Sequence, residues 1–421
     1  MAVQRLLYNL FLLLYKTIVS ILSLFNNKAK LWIKGRQNIF LHLASTLKNE
    51  HAEKIWVHCA SLGEFEQAIP FIEAIKKLYA SKKIVLTFFS PSGYEVQKNY
   101  SGVDFIFYMP LDSAKNAKHF YNIVSPKLVV FIKYDFWFYY LNEASKRKIP
   151  LLLISGAFRS NQPFFKWYGN FHRSMLQCFT HLFVQNEWCL QLLQTIKIRN
   201  VSVSGDTRFE RVLIIAENFQ PVTAIDNFIN KRKVIVAGST WSEDDEALAH
   251  FTNTHADICF IIAPHDISEE RLKECEKLYN KSIRYSTFKQ NNLQQQSNNN
   301  VLIIDNIGML KTLYGYADIC FIGGGFGGDG VHNVLEAAVY NKPVLFGPVY
   351  DKYIEAIELI EEGGAFVTED ALKLERKINE LLNDKVAYKT AAVSAGNYVH
   401  SKTGATSIIT GYIQENRLLI N

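Results

Sequence analysis

Little in this chain points to metal or redox chemistry. Its six cysteines, Cys59, Cys178, Cys189, Cys259, Cys275 and Cys320, are scattered over 421 residues, and none forms a CxxC pair. That spacing argues against a zinc site and reads as free thiols, several inside apolar strand-like runs, in a reducing compartment. No Asp-x-Asp doublet stands at a strand end, as a metal–diphosphate site would need. Asp244–Asp245 falls instead in an acidic helix start, SEDDEAL, and reads as a solvated helix face. No metal and no cofactor are expected. No GK[ST] closes the glycine-rich stretch, so it is not a Walker loop. No small-x-small site follows the apolar N-terminus, which argues against a cleaved signal peptide. No short internal repeat is visible.

What is present is length and charge asymmetry. A chain of 421 residues, 48% hydrophobic and 20% charged, fits two domains of about 200 residues each. Residues 1–215 carry 27 Lys and Arg against 13 Asp and Glu, while residues 216–421 carry 19 against 27. A basic front half suits an anionic partner such as a membrane surface or a phosphorylated lipid, or else lysines that solvate exposed helices.

Leu6 to Phe25 (LLYNLFLLLYKTIVSILSLF) could just span a bilayer, but Lys16 in its middle makes spanning costly. Asn9, Lys16, Ser20, Ser23 and Asn27 fall on one helical face, with leucines and phenylalanines opposite. Arg5, Lys28, Lys30, Lys34 and Arg36 flank it. Residues 1–30 therefore read as a membrane-anchoring helix, spanning or lying in the interface; a buried first helix is the alternative.

Short apolar runs then alternate with helical patterns. In the front half they are Ile55–Ala60, Ile84–Phe89, Phe105–Tyr108, Leu128–Ile132, Leu151–Ile154, Leu182–Val184 and Val201–Val203. In the back half they are Val234–Ala237, Ile258–Ala263, Val301–Ile304, Ile319–Ile322, Pro343–Phe346 and Ala365–Val367. Such runs predict parallel sheets buried on both faces, hence an α/β chain of two Rossmann-like domains facing across a cleft. The boundaries are set at 31–217 and 218–400, with 401–421 as a segment that could pack back on the first domain. Lys289–Asn300 (KQNNLQQQSNNN) reads as a loose surface loop.

Two stretches carry chemistry. Gly323 to Ala338 (GGGFGGDGVHNVLEAA) follows an apolar run and precedes a helix read over Val331–Tyr340. Glycines there let backbone N–H groups approach an anion, and a helix N-terminus adds partial positive charge. Gly323, Gly325 and Gly328 satisfy GxGxxG only as a string, because no ribose-binding acid follows at the spacing NAD requires. Glu336 could accept both hydroxyls of a ribose while Asn333 faces a phosphate; a tight turn with Asn333 at a helix cap is the plainer reading. The other stretch is Ile55 to Lys76 (IWVHCASLGEFEQAIPFIEAIK), where Gly63 lets a turn approach a ligand and Glu64 sits at a strand's carboxyl end. Glu64 and Glu66 are also acids of the kind favoured in a first helical turn.

WVHCASLGE at Trp56–Glu64, SPSG at Ser90–Gly93, VSGDTRFE at Val203–Glu210, IGMLKTLYGYAD at Ile307–Asp318 and GGDGVHNVLEAAVYNKPVLFGP at Gly327–Pro348 occur in the order of the Kdo transferases of lipopolysaccharide synthesis. The chain resembles that family from about residue 5 to 400. The resemblance implies a GT-B glycosyltransferase that moves 3-deoxy-D-manno-octulosonic acid (Kdo) from CMP-Kdo to the lipid A precursor lipid IVA. It implies inversion at the anomeric carbon and work at the cytoplasmic face of the inner membrane, without a metal and without a nucleic-acid partner.

Residue by residue, Glu64 matches the family's catalytic Glu. Arg208 stands where the family has Lys and keeps the charge that steadies the leaving phosphate or the donor carboxylate. Pro264 and His265 fall on a PRH turn whose Arg is missing. Ile307, Gly308 and Met309 fall on an MGE turn, with Met309 in place of the acid. Asn333, Val334, Leu335 and Glu336 match the NPLE segment that grips CMP. Lys133–Trp137 (KYDFW) replaces ETELW, so Lys133 reverses the first acid's charge and Asp135 keeps the second. The alternatives are another GT-B transferase or epimerase using a UDP-sugar, and a nucleotide-binding protein without catalysis.

Overall fold

The computed structural model describes residues 2–133, 135–290 and 298–419. Most of the polar segment expected as a loop, residues 291–297, lies outside the described residues, as does Tyr134. The chain divides into two compact units, one of Met1–Arg211 with Thr403–Asn421 and one of Val212–Lys402.

The first unit holds one parallel sheet of seven strands: β1 Lys54–Cys59, β2 Lys83–Phe88, β3 Phe105–Tyr108, β4 Pro126–Ile132, β5 Leu151–Gly156, β6 His181–Val184 and β7 Val201–Val203. Their order is β3-β2-β1-β4-β5-β6-β7. Chain order therefore reverses direction between the neighbours β1 and β4, which creates a crevice at their carboxyl ends. Helices cover both faces, so β1 has no exposed residue. Trp56 anchors one face against Phe120, Tyr121, Phe131 and Tyr140, with ring centroids 4.6 to 5.6 Å away. On the other face, Ile409 and Ile413 of the last helix, Ala405–Glu415, share a core with Phe65, Ile69 and Ile72. Glu210 holds that helix's start by accepting from the Gly404 and Thr406 amides at 2.9 Å each.

The second unit repeats the plan with β8 Lys233–Thr240, β9 Ile258–Pro264, β10 Ser282–Arg284, β11 Val301–Ile303, β12 Ile319–Ile322, β13 Val344–Phe346 and β14 Ala365–Val367. Their order is β10-β11-β9-β8-β12-β13-β14, all parallel, with the reversal between β8 and β12. Two parallel, doubly wound units are the expected GT-B class. Thirteen strands coincide with the apolar runs. The fourteenth, β10, reads Ser-Ile-Arg at a half-exposed edge, where no apolar run is needed.

The N-terminal helix, Ala2–Leu22, is long and apolar enough to cross a membrane. One stripe packs on the first unit: Leu12 is buried, Tyr8 packs on Phe138 and Phe171, and Tyr15 meets Trp32 and Phe89. Residues 8, 12 and 15 are a helical i, i+4, i+7 set. Outside the stripe, Leu6, Leu7, Leu10, Phe11, Leu13, Leu14, Ile18 and Ile21 are exposed.

Candidate active site

Within the first unit the chemistry gathers at the β1/β4 reversal. Ser61 caps the helix Leu62–Leu78, and Glu64 sits at its third position. The Ser61 amide donates to Glu64 Oε2 at 3.0 Å, and the Ser61 hydroxyl donates to the same oxygen. This reciprocal cap follows from the Ser-x-x-Glu spacing before an apolar run and stabilises a helix start by about 1 kcal/mol. Among the described residues nothing donates to Glu64 Oε1. One oxygen is thus tethered while the other stays open on a half-buried side chain.

Asp135 follows β4 and is held by two donors on Oδ2, His58 Nε2 at 2.8 Å and Trp137 Nε1 at 2.8 Å. His58 is fully buried, and its Nδ1 meets Thr87 Oγ1, which also accepts from Trp56 Nε1. The buried Cys59 thiol is pushed well up, first by burial and then by the charges of Glu64 and Asp135, so both acids act on one strand end. Lys133 lies between strand and acid with φ +66°, a left-handed conformation rare for a side chain this long. Its amide donates to Ile154 O at 2.8 Å.

This loop is braced from the N-terminal helix. Tyr8 donates its hydroxyl to Asp112 Oδ2 at 2.7 Å. Asp112, fully buried, accepts the Tyr139 and Tyr140 amides at 3.0 and 3.2 Å, the start of the helix Phe138–Lys146. Burial pushes the Asp112 carboxyl up to about 6 against the pull of these donors.

Arg208 begins the helix Arg208–Glu217 and grips Asp206: its amide donates to Oδ1 at 2.9 Å and its Nε to Oδ2 at 2.8 Å. Gln67 and Gln185 donate to the same carboxylate at 3.0 and 2.7 Å. A buried acid with two amides and an arginine is a rigid mount, and Gln67 ties it to the helix that carries Glu64.

The second unit revises two expectations. The helix read over Val331–Tyr340 is only Leu335–Ala338, so His332 and Asn333 precede it and its dipole is small. The reason is the backbone path: the His332 amide donates back to Gly323 O, and Val331 to Val349 O, before helical bonding begins. Asp244 and Asp245 do not solvate their helix; both are fully buried. Asp245 pairs with Arg271 and accepts from Tyr279 at 2.9 Å. Asp244 accepts from the amides of Trp241, Gly324 and Phe326 at 2.9, 2.7 and 3.2 Å. Burial raises its carboxyl, and the three amides pull against that rise.

The glycine loop therefore has two jobs. A Cβ on Gly323 would lie 2.3 Å from Ser239 O, and one on Gly325 2.5 Å from Gly347 N, so these glycines permit backbone packing. The Gly324 and Phe326 amides are already taken by Asp244. Gly328 faces open space, and Gly327 nearly so, whereas Gly330 is buried against Tyr353, leaving residues 327–329 for a ligand.

Of the expected binding residues, Asn333 and Glu336 come together, Asn333 Nδ2 donating to Glu336 Oε1 at 3.2 Å. Val334 and Leu335 are buried, so only their backbone could reach a ligand. Pro264 ends β9, and His265 stacks on Trp241 and His332. Ile307 is 87% exposed, Gly308 has φ +101°, and Met309 precedes the short helix Leu310–Leu313. Among the described residues no hydrogen bond or ring contact joins these three to the histidine group. Sequence reasoning missed Trp241, Asp244, Asp112, Asp206 and His58. Only Asp244 left a signal, as an acid three residues after a cap position. Among the described residues no group of three or more His, Cys, Asp or Glu is placed to hold a metal ion.

Comparison with known proteins adds the lineage. Residues 35–211 match the family model described as 3-deoxy-D-manno-octulosonic-acid transferase (kdotransferase). A bifunctional glycosyltransferase/methyltransferase of Fusobacterium nucleatum is 28% identical over 361 residues, 81% of this chain but only 54% of that protein, so the chain spans about half of it. The 3-deoxy-D-manno-octulosonic acid transferase of Rickettsia prowazekii is 26% identical over 404 residues, 92% of this chain and 85% of that one. Among solved structures, the UDP-GlcNAc 2-epimerase of Neisseria meningitidis bound to UDP-GlcNAc superposes with a TM-score of 0.62 at 17% identity. The superposition covers 86% of this chain and 100% of that one, a likeness of fold.

Proposed function

We propose that this chain is a Kdo transferase, a reading supported by the family-model match of residues 35–211 and by the Rickettsia prowazekii relative, and that it transfers Kdo from CMP-Kdo to lipid IVA, with inversion, at the cytoplasmic face of the inner membrane. The observation that carries the reading is Glu64, with one carboxylate oxygen tethered by Ser61 and the other open at the β1/β4 reversal.

In this reading an acceptor hydroxyl attacks the anomeric carbon of Kdo as the bond to the CMP phosphate breaks. Glu64 Oε1 takes the hydroxyl proton, and CMP leaves with the bonding pair. The Ser61 bonds hold Glu64 in place, and an oxocarbenium-like transition state lets the proton leave late. Arg208, fixed by Asp206, supplies positive charge toward the leaving phosphate or the donor carboxylate. Asp135, fixed by His58 and Trp137, supplies the negative charge that Lys133 no longer does. In the second unit Asn333 and Glu336 hold the ribose, residues 327–329 meet the phosphate, and Pro264, His265 and Ile307–Met309 line the remaining donor contacts.

The N-terminal helix supports a membrane role. It is docked along one stripe by Tyr8, Leu12 and Tyr15, and its outer face is leucine-rich. A helix bound along its side to the protein body lies in the interface rather than crossing it. Arg5, Lys28, Lys30 and Lys34 meet anionic headgroups.

The test is transfer itself with donor and acceptor supplied, alongside protection against heat unfolding. CMP should raise the Tm and UDP should not. Equal protection by UDP would favour a UDP-sugar enzyme. CMP protection of a Glu64→Ala variant that has lost transfer would separate catalysis from nucleotide binding.

A further inference from the structure

Trp241, His265 and His332 meet beside the glycine loop. The Trp241 indole Nε1–H donates to His332 Nε2 at 3.1 Å. His265 stacks on both rings, 4.6 Å from the indole at 26° and 4.6 Å from the His332 imidazole at 16°. At its root, the His332 amide is fixed by its bond to Gly323 O at 3.0 Å.

An indole nitrogen can only donate. His332 Nε2 must therefore accept, so it carries no proton, and the proton of the neutral ring sits on Nδ1. Protonating Nε2 would set two N–H groups against each other and break the contact. The titratable groups facing the ring are His265, from the turn after β9, and Asp329, from the glycine loop. Burial and then His265 lower its proton affinity, and Asp329 opposes them more weakly. Among the described residues nothing accepts from Nδ1. In the neighbouring loop Asp244 holds the amides of Gly324 and Phe326, while residues 327–329 stay open.

We infer that Trp241 is a positioning residue that locks His332 in the Nδ1–H tautomer, and that His332 offers this uncharged N–H to an oxyanion of the sugar-nucleotide donor. The oxyanion role rests on the donor site proposed for the second unit; the tautomer lock does not. An uncharged donor can follow charge that grows on a leaving phosphate without adding a cation that would retain the product.

The experiment uses the full-length chain labelled with 15N, its His332 signals assigned by loss in His332→Asn. Without ligand, the wild type should show Nε2 unprotonated and Nδ1 protonated from pH 5.5 to 8. Trp241→Phe keeps a ring on His265 but removes the donor, and should give a mixed tautomer that gains a proton at the acid end. CMP affinity, measured by calorimetry, should stay within ~2-fold across that range in the wild type. At pH 7 it should fall ~5-fold in Trp241→Phe, the scale of one neutral hydrogen bond, and recover on acidification. His332→Asn, which keeps an N–H near the Nδ1 position, should bind within ~2-fold of wild type, whereas His332→Leu should lose ~10-fold. A protonated Nε2 in the wild type, or an unchanged tautomer in Trp241→Phe, overturns the lock. Equal binding by the Asn and Leu variants overturns the oxyanion role. A wild type that binds no CMP overturns the donor site itself, and the nitrogen shifts still decide the lock.

Discussion

The helix after β1 and the helix after β8 place an acid at the same position, the third residue of a capped first turn beside the reversal of a sheet. The two acids meet opposite fates. Glu64 is half-buried and keeps Oε1 open. Asp244 is fully buried and has both oxygens occupied, Oδ2 by Trp241 and Gly324 and Oδ1 by Phe326. The first keeps an oxygen for the proton-accepting role proposed for it; the second is a structural clamp that folds the glycine loop. One repeated local motif is thus divided by burial and by the amides around it into an acid with an open oxygen and an acid with none.

Substitutions can break that division. The largest effect is expected at Glu64. Glu64→Gln still accepts from Ser61 but cannot take a proton, so transfer should fall about 10³-fold while the Tm stays within about 2 °C. A comparable Tm loss would make Glu64 structural like Asp244. Asp244→Ala should do the reverse. It strands the buried Gly324 amide and the half-buried Phe326 amide, lowering the unfolding free energy by roughly 2–4 kcal/mol in urea titrations and abolishing CMP protection. Asp244→Asn, which keeps one acceptor, should fall between.

In the KYDFW segment, Asp135→Asn should abolish transfer and Lys133→Glu leave it nearly unchanged, with rates measured on the same preparation; the opposite pattern would assign the role to Lys133. The smallest effects concern the brace. Tyr8→Phe removes one hydrogen bond to Asp112 and should lower kcat several-fold, with vesicle binding retained. Asp112 titrates at about 6 when folded, against an ordinary value of 3.8. The folded chain therefore holds a proton there that the unfolded chain has released, and the resulting stability is present below about pH 4 and lost as pH rises through 6. Relative to Asp112→Asn, wild-type unfolding free energy should decline across that window; a flat difference would refute the shift.

The sheets were legible because parallel strands buried on both faces need continuous apolar runs, and thirteen of the fourteen strands are such runs. The exception, β10, is an edge strand of three residues. The place of Glu64 in the first helical turn after β1 was legible because it is set locally. Asp112, Asp206 and His58 were not, because their partners lie far off in sequence: Tyr8 is 104 residues from Asp112, Gln67 139 from Asp206, and Asp135 77 from His58. The glycines were read as one anion cradle because sequence cannot separate a glycine needed for backbone packing, as at Gly323, from one left open, as at Gly328.

The most direct measurement is the mass of lipid IVA after incubation with CMP-Kdo and either the wild-type chain or Glu64→Gln. The account predicts an acceptor heavier by whole Kdo units with the wild type and unchanged acceptor with a folded, CMP-binding Glu64→Gln. Full transfer by that variant would contradict it, as would an acceptor that gains mass only when a UDP-sugar replaces CMP-Kdo.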